Sequence, residues 1–221
     1  MVTEKVAVPE VEWLPDEEPQ EPCACGWLDY DWTDPFVVAN HRRRHDEWEN
    51  GVRLRGLQQS LVGQGVVWVR SPMHPSVMRL MQRTGRYFQR EGRYDFNCWP
   101  FRFEYDDVRK YHTRAVLAVA EDRVIGLAVV RDRWPVYVWP LVGRYGDKLD
   151  KADGILEPSP CIDAIWVARS HRRQGIARCL VQAATTAAEG SMAGPVWGTP
   201  FSESGRRLAE ALVVGESLLV T

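Results

Sequence analysis

Residues 161–181 read CIDAIWVARSHRRQGIARCLV, and the segment divides at Ala168–Ser170. Ahead of the division, Ile162 to Val167 is short, apolar and rich in β-branched and aromatic side chains, the composition of a strand. Behind it, Ile176, Cys179, Leu180, Ala183, Ala184 and Ala187 recur at helical spacing. This predicts an amphipathic helix over roughly 172–189, stopped by Gly190. The corner between the two elements is Arg172-Arg173-Gln174-Gly175-Ile176-Ala177.

That corner has the chemistry of an anion site. The first amides of a helix lack intrahelical acceptors, and the helix dipole leaves partial positive charge on them. Gly175 lets a ligand come close to the backbone, Ala177 keeps the next turn small, and Arg172 and Arg173 add full charges. A helix start of this kind suits a pyrophosphate. The hexamer resembles the acetyl-CoA motif of the GNAT acetyltransferases, Q/R-x-x-G-x-G/A, with Arg172, Gly175 and Ala177 at its three defined positions. A strand before it and an amphipathic helix after it are the context that motif requires. Ile165-Trp166-Val167, Arg172-Arg173 and Ile176-Ala177 narrow the likeness. They resemble a segment of the Eco1/ESCO cohesin acetyltransferases that reads R-I-W-V, then R-R, then I-A.

The resemblance implies an α+β GNAT fold: a central mixed twisted sheet flanked by helices, with a small N-terminal zinc-finger-like module. It implies acetyl-CoA as cosubstrate. Ile165, Trp166 and Val167 would offer backbone groups to the pantetheine and the acetyl carbonyl. Arg172, Arg173, Gln174, Gly175, Ile176, Ala177 and Arg178 would hold the pyrophosphate. Phe201-Ser202-Glu203-Ser204-Gly205-Arg206 resembles the ESCO segment F-S-x-P-T-P-x-G-K/R, which leads into the last helix and contacts the cofactor. Ser202, Glu203 and Ser204 are therefore expected beside it, with Ser202 or Ser204 capping that helix.

A second constellation precedes the catalytic pattern. His41 and His45 lie four residues apart, so both imidazoles can reach one metal from a single helix face. Cys23 and Cys25, from a tight turn, would complete a tetrahedral set. The layout resembles the small C2H2 finger heading the ESCO catalytic region, C-x-x-C-G, an aromatic, then H-x-x-x-H. Gly26, Tyr30 and the histidine pair fit, while the C-x-C spacing is one residue short. Structural zinc is the expectation. The competing reading is a helix with two solvated histidines beside Arg42-Arg43-Arg44, and two unrelated cysteines.

The chain is accordingly divided into a flexible acidic tail over 1–21, a finger-like module over 22–60 and an acetyltransferase domain over 61–221. Within the last, Val66 to Arg70 is the expected first strand, and Pro75 opens a helix carrying Val77, Leu80, Met81, Tyr87 and Phe88. Ala115–Ala120 and Val124–Val130 form a hairpin about Glu121–Arg123, the second strand apolar enough to be buried on both faces. Val136–Trp139, Pro195–Thr199 and Glu216–Val220 are further strands, and Leu208 and Leu212 mark the last helix. The aromatic cluster from Tyr94 to Tyr105 packs against the finger or walls a groove.

Acetyl transfer from a thioester needs a neutral, aligned amine and a base to take its proton. Asp163, in register with Ile165 and Val167, is the first candidate, set against a plain carboxylate–arginine pair. It stands where the ESCO pattern has a serine. The family's acidic residue on the cofactor helix corresponds to Gln182, and its Ser-Asp pair to Thr199-Pro200, which leaves Glu203 as a substitute. Cys161 and Cys179 read as core residues, not nucleophiles.

Composition bounds the partners. The chain has 221 residues with net charge -2, so no global basic field draws it to nucleic acid, which is not expected as a main partner. No apolar run is long enough to cross a bilayer, and the acidic start lacks a signal peptide's apolar core. Five irregularly spaced cysteines point to a reducing compartment: the cytoplasm, or the nucleus in a eukaryote. Three functions follow in order: N-acetylation of a lysine on a protein substrate, N-acetylation of a small amine such as a polyamine or aminoglycoside, or an inactive CoA-binding or zinc-dependent interaction module.

Overall fold

The computed structural model describes residues 23–25, 33–69, 74–92, 113–133, 137–140, 159–186, 195–198, 202–212 and 217–220. The expected tail, the Tyr94–Tyr105 cluster and Thr199-Pro200 fall outside these.

Helix α1 (Pro35–Asn50) starts where Asp34 Oδ1 accepts the Phe36 amide at 2.7 Å, with Pro35 in the first helical position. Strand β1 (Val52–Arg53), a 3-10 helix (Gly56–Leu61) and strand β2 (Val66–Val69) follow. Helix α2 (Pro75–Glu91) is capped by His74, whose Nδ1 accepts the Ser76 amide at 3.2 Å. Strands β3 (Arg114–Ala120) and β4 (Arg123–Arg133) form the expected hairpin, with Glu121 at φ 51° in its turn. Next come β5 (Tyr137–Pro140), β6 (Ser159–Val167), a 3-10 turn (Arg169–His171) and α3 (Ile176–Thr186). The last elements are β7 (Val196–Trp197), α4 (Glu203–Leu212) and β8 (Ser217–Val220).

Among the described residues the strands form one mixed sheet in the order β2-β3-β4-β6-β7-β8-β5, with β1 paired to β4 beside that path. Pairing is antiparallel except where β7 lies parallel to β6 and β8. Val124 to Val130 is buried throughout, as its unbroken apolar run requires of a central strand. One face of the sheet presents Leu117, Leu127, Val129 and Trp166 to Trp48 of α1 and to Met78, Leu80, Met81 and Tyr87 of α2. The other presents Val116, Ala128, Val130 and Ile162 to Leu180, Val181 and Ala184 of α3 and Ala209 of α4. Cys25, Val52 and Leu54 belong to the first of these cores, so the N-terminal segment packs into the same hydrophobic cluster as the sheet.

A buried carboxylate joins α1 to α2. Glu47 accepts a hydrogen bond from the Tyr87 hydroxyl at 2.8 Å, with Arg55 at 3.4 Å and Arg83 at 3.8 Å from its oxygens. Burial first, and then the Glu47 charge, push the Tyr87 phenol above its ordinary range, so it stays protonated and keeps donating. The Tyr87 ring stacks on Trp166 of β6 with centroids 5.6 Å apart. Tyr87→Phe removes a donor from a buried carboxylate and is expected to cost about 1–3 kcal/mol, read from the urea midpoint. An unchanged midpoint would show that the two arginines satisfy Glu47 alone.

Two expectations need correction. The helix after the corner begins at Ile176, not near Arg172. Arg173 and Gly175 have φ of 63° and 83°, left-handed values that an α-helix cannot continue through. Cys161 is buried as expected, but Cys179 is exposed on α3 and is not a core residue. No described helix is long and apolar enough to cross a membrane.

Candidate active site

The end of β6, the corner after it and the start of α4 surround a cavity of about 660 Å³. Its existence follows from strand pairing. β6 is paired along its length to β4, but β7 follows it only through Cys161 and Ile162. The amide of Gly198 makes one more bond to the Ile162 carbonyl at 2.9 Å. Among the described residues the pairing goes no further, and Asp163 to Val167 line the cavity.

The β4–β6 register also slips there. Ala164 faces Val129 and Ile162 faces Val130, so Asp163 is the extra residue of a bulge. Its carboxylate lies 3.2 Å from Arg131 Nη1 and is largely buried. Gly198 leaves it room: a Cβ at that position would sit 3.0 Å from Asp163 Oδ1 and 3.2 Å from its Cα. Asp163 thus has a charged partner and a place in the cavity wall.

The corner supplies the opposite wall. Gly175, Ile176, Ala177, Arg172, Arg173 and Arg178 line the cavity. The helical ladder opens with Cys179 N–H to the Gly175 carbonyl at 3.0 Å, so the amides of Ile176, Ala177 and Arg178 stand ahead of its first bond. Gly175, at φ 83° with nothing within 4 Å of a notional Cβ, keeps this surface open. Gln174, the other expected cofactor residue, does not line the cavity; its side-chain amide donates to the Ser170 carbonyl at 3.0 Å. Arg172 lines it while already engaged, with Nε on the Val167 carbonyl at 3.0 Å and Nη2 on Glu91 at 2.5 Å.

Ser202, Glu203 and Ser204 all border the cavity. Ser202 is the cap of α4, its Oγ accepting the Gly205 amide at 3.1 Å, whereas Ser204 lies inside the helix. Glu203 is highly exposed and pairs with Arg207 one turn on. Gln182 is an exposed residue of α3. Sequence reading missed Glu91, Gly198 and Arg207 among the lining residues. Gly92, directly after Glu91, does mark the end of a helix, but no spacing tells which wall that end meets.

The ligand atoms of Cys23, Cys25 and His41 lie within 4.8 Å of one another. Two thiols and one imidazole, with Cys25 and His41 buried, are a donor set suited to zinc. His45 is outside that cluster. Its ring centroid is 5.9 Å from that of His41, and it stands edge-on to Trp48 at 5.4 Å. Arg42 and Arg43 are exposed, as for a solvated helix face.

The family model described as Acetyltransferase (GNAT) family matches residues 75–197, more than half of the chain. No curated protein matches it by sequence. Among solved structures, the xEco2 acetyltransferase domain bound to a CoA conjugate aligns with a TM-score of 0.54 at 16% identity, covering 71% of this chain and 91% of that one. A second structure of the xEco2 acetyltransferase domain gives 0.51 at 16% identity, covering 71% and 89%. The aminoglycoside 6'-N-acetyltransferase AAC(6')-IG from Acinetobacter haemolyticus gives 0.36 at 18% identity, covering 52% and 72%.

Proposed function

Because the chain belongs to the GNAT acetyltransferase family, we propose that it carries acetyl-CoA in the cavity beside β6 and transfers the acetyl group to a lysine of a protein substrate. The observation that carries this reading is the opening between β6 and β7, with the bulged Asp163 at its root and the unladdered amides of α3 across from it. Backbone groups of Ile165, Trp166 and Val167 face the pantetheine and the acetyl carbonyl, where an amide stabilises the charge developing on oxygen. The amides from Arg173 to Arg178 take the diphosphate. Asp163 takes a proton from the acceptor ammonium, directly or through water; the neutral nitrogen attacks the thioester carbonyl, its bond to carbon forms, the carbon–sulfur bond breaks, and CoA leaves as the thiolate that takes up the nitrogen's second proton.

A protein lysine is preferred over a small amine for two reasons. The sequence resembles the ESCO pattern at both ends, and the Cys23, Cys25, His41 cluster sits on the segment that precedes the family match. The xEco2 domain, which shares the fold, binds a CoA conjugate. A substrate panel tests the choice: acetylation of lysine peptides or proteins supports it, and turnover of polyamines or aminoglycosides alone overturns it. Acetyl-CoA binding without transfer to any amine would mark an inactive binding module.

Zinc completes the proposal, held by Cys23, Cys25 and His41, the three residues whose ligand atoms converge. When bound, it would tie the Cys23–Cys25 turn to α1. Cys25→Ser is expected to abolish metal retention and to lower stability by several kcal/mol, since a structural site contributes its binding energy to folding. Metal content and thermal midpoint read this out. A metal-free wild-type chain with a midpoint indifferent to chelator would remove zinc from the account.

A further inference from the structure

Helix α2 ends against the cavity, where Phe88, Glu91 and Gly92 form part of its wall. Glu91 Oε2 accepts hydrogen bonds from two elements distant in sequence: Arg172 Nη2 at 2.5 Å and Trp48 Nε1 at 3.3 Å. Arg172 turns its Nε back onto the Val167 carbonyl at 3.0 Å, at the point where β6 ends. The turn between Val167 and Arg172 is tied to the same helix end as Trp48. The Arg169 guanidinium lies 4.9 Å over the Trp48 ring, and Ser170 Oγ donates to the Glu49 carbonyl at 2.8 Å.

The corner from Arg172 to Gly175 thus follows a strand end and a turn that are held from outside, by the last turns of α1 and α2. This matters because, besides Arg172, the corner's side-chain tie among the described residues is Gln174 to the Ser170 carbonyl, in the turn just before it. Arg173 is left-handed without being glycine, Gly175 is also left-handed, and both are exposed. A conformation of that kind persists only when its surroundings over-determine it. We propose that Glu91 is a positioning residue for the acetyl-CoA site. It fixes Arg172 across the Val167 carbonyl and so holds the amides beyond in the arrangement that receives a diphosphate. Through Trp48, the helix that carries His41 becomes part of the same support. This inference rests on reading the cavity as the acetyl-CoA site, and it gives Arg172 a different task from the one expected. Its side chain braces the corner and is not a free phosphate ligand.

The two roles for Arg172 predict opposite signs. If Arg172 were a phosphate ligand restrained by Glu91, Glu91→Gln would release it and tighten acetyl-CoA binding. If Glu91 positions the corner, Glu91→Gln weakens binding by about five-fold, the scale of a partly exposed charged pair. Glu91→Asp should recover most of that loss, which a general packing effect would not. Calorimetric titration of the full chain with acetyl-CoA measures both, with Gly175→Glu as the reference for loss of the site. Weaker binding in Glu91→Gln with recovery in Glu91→Asp supports the proposal. Unchanged or tighter binding in Glu91→Gln, with binding lost in Gly175→Glu, overturns it and leaves the acetyl-CoA site standing. Wild-type affinity in both variants overturns the site and the proposal together. Should Glu91→Gln fail to fold, Trp48→Phe, which removes the second donor from the same carboxylate, carries the test: a rise of about two-fold in Kd supports it and no change overturns it.

Discussion

Gly175→Glu is expected to weaken acetyl-CoA binding by about 100-fold or more while leaving the chain folded. Two effects act together. A glutamate at φ 83° is strained, as any side chain is there, by about 1–2 kcal/mol. Its carboxylate would also stand at the wall proposed for the diphosphate, beside the first free amides of α3. A like charge at ~5 Å with an effective dielectric of ~20 costs about 3 kcal/mol, which alone is roughly 100-fold in Kd. Nothing lies within 4 Å of the notional Cβ, so the substitution has space and the fold should survive. Gly175→Ala separates the two effects, because it keeps the strain and omits the charge; its affinity should fall about ten-fold at most. Wild-type affinity in Gly175→Glu would mean that no diphosphate sits at this corner.

Asp163→Asn is expected to lower kcat by about 100-fold with the acetyl-CoA Kd changed less than about three-fold, the usual reach of a general base. Asparagine keeps the shape that fits against Gly198, so the bulge and the strand opening should persist. The variant must wait for an amine that is already neutral. Its residual rate should therefore climb about ten-fold per pH unit below the lysine pKa of about 10.4, where the wild type should rise less steeply. The competing role, a carboxylate that only neutralises Arg131 at 3.2 Å, predicts a lowered thermal midpoint with kcat unchanged. That outcome would move the search for the base to Glu203. Glu203 is exposed and already paired with Arg207, so it is the weaker candidate.

The elements that were legible from residues alone share one property: their signal is local. The hairpin of β3 and β4 is written in an unbroken apolar run with turn residues between, and only a strand covered on both faces tolerates that run. The corner after β6 is written in a glycine between arginines at the end of a strand, the residues that mark where a strand gives way to a helix start. The extent of the helix after it was misjudged by about a turn. The apolar stripe itself starts at Ile176, where the helix starts, and the left-handed φ values of Arg173 and Gly175 that bar an earlier start leave no mark in hydrophobic spacing. Cys179 was misplaced for a related reason: an apolar stripe at helical spacing has an edge, and pattern alone does not say which member falls on it.

Residue types and their spacing were enough for the order of strands and helices and for the convergence of Cys23, Cys25 and His41, while the GNAT class came through resemblance to a motif, and His45, grouped with them by spacing, lies outside the cluster. Tertiary structure alone decided that Asp163 is bulged out of the β4–β6 ladder, that Asp163 to Val167 line the cavity, and that Glu91 meets both Trp48 and Arg172. Those contacts join positions up to 81 residues apart. Long-range pairing is set by how the sheet and both helical layers pack at once, and no short window of sequence carries that information.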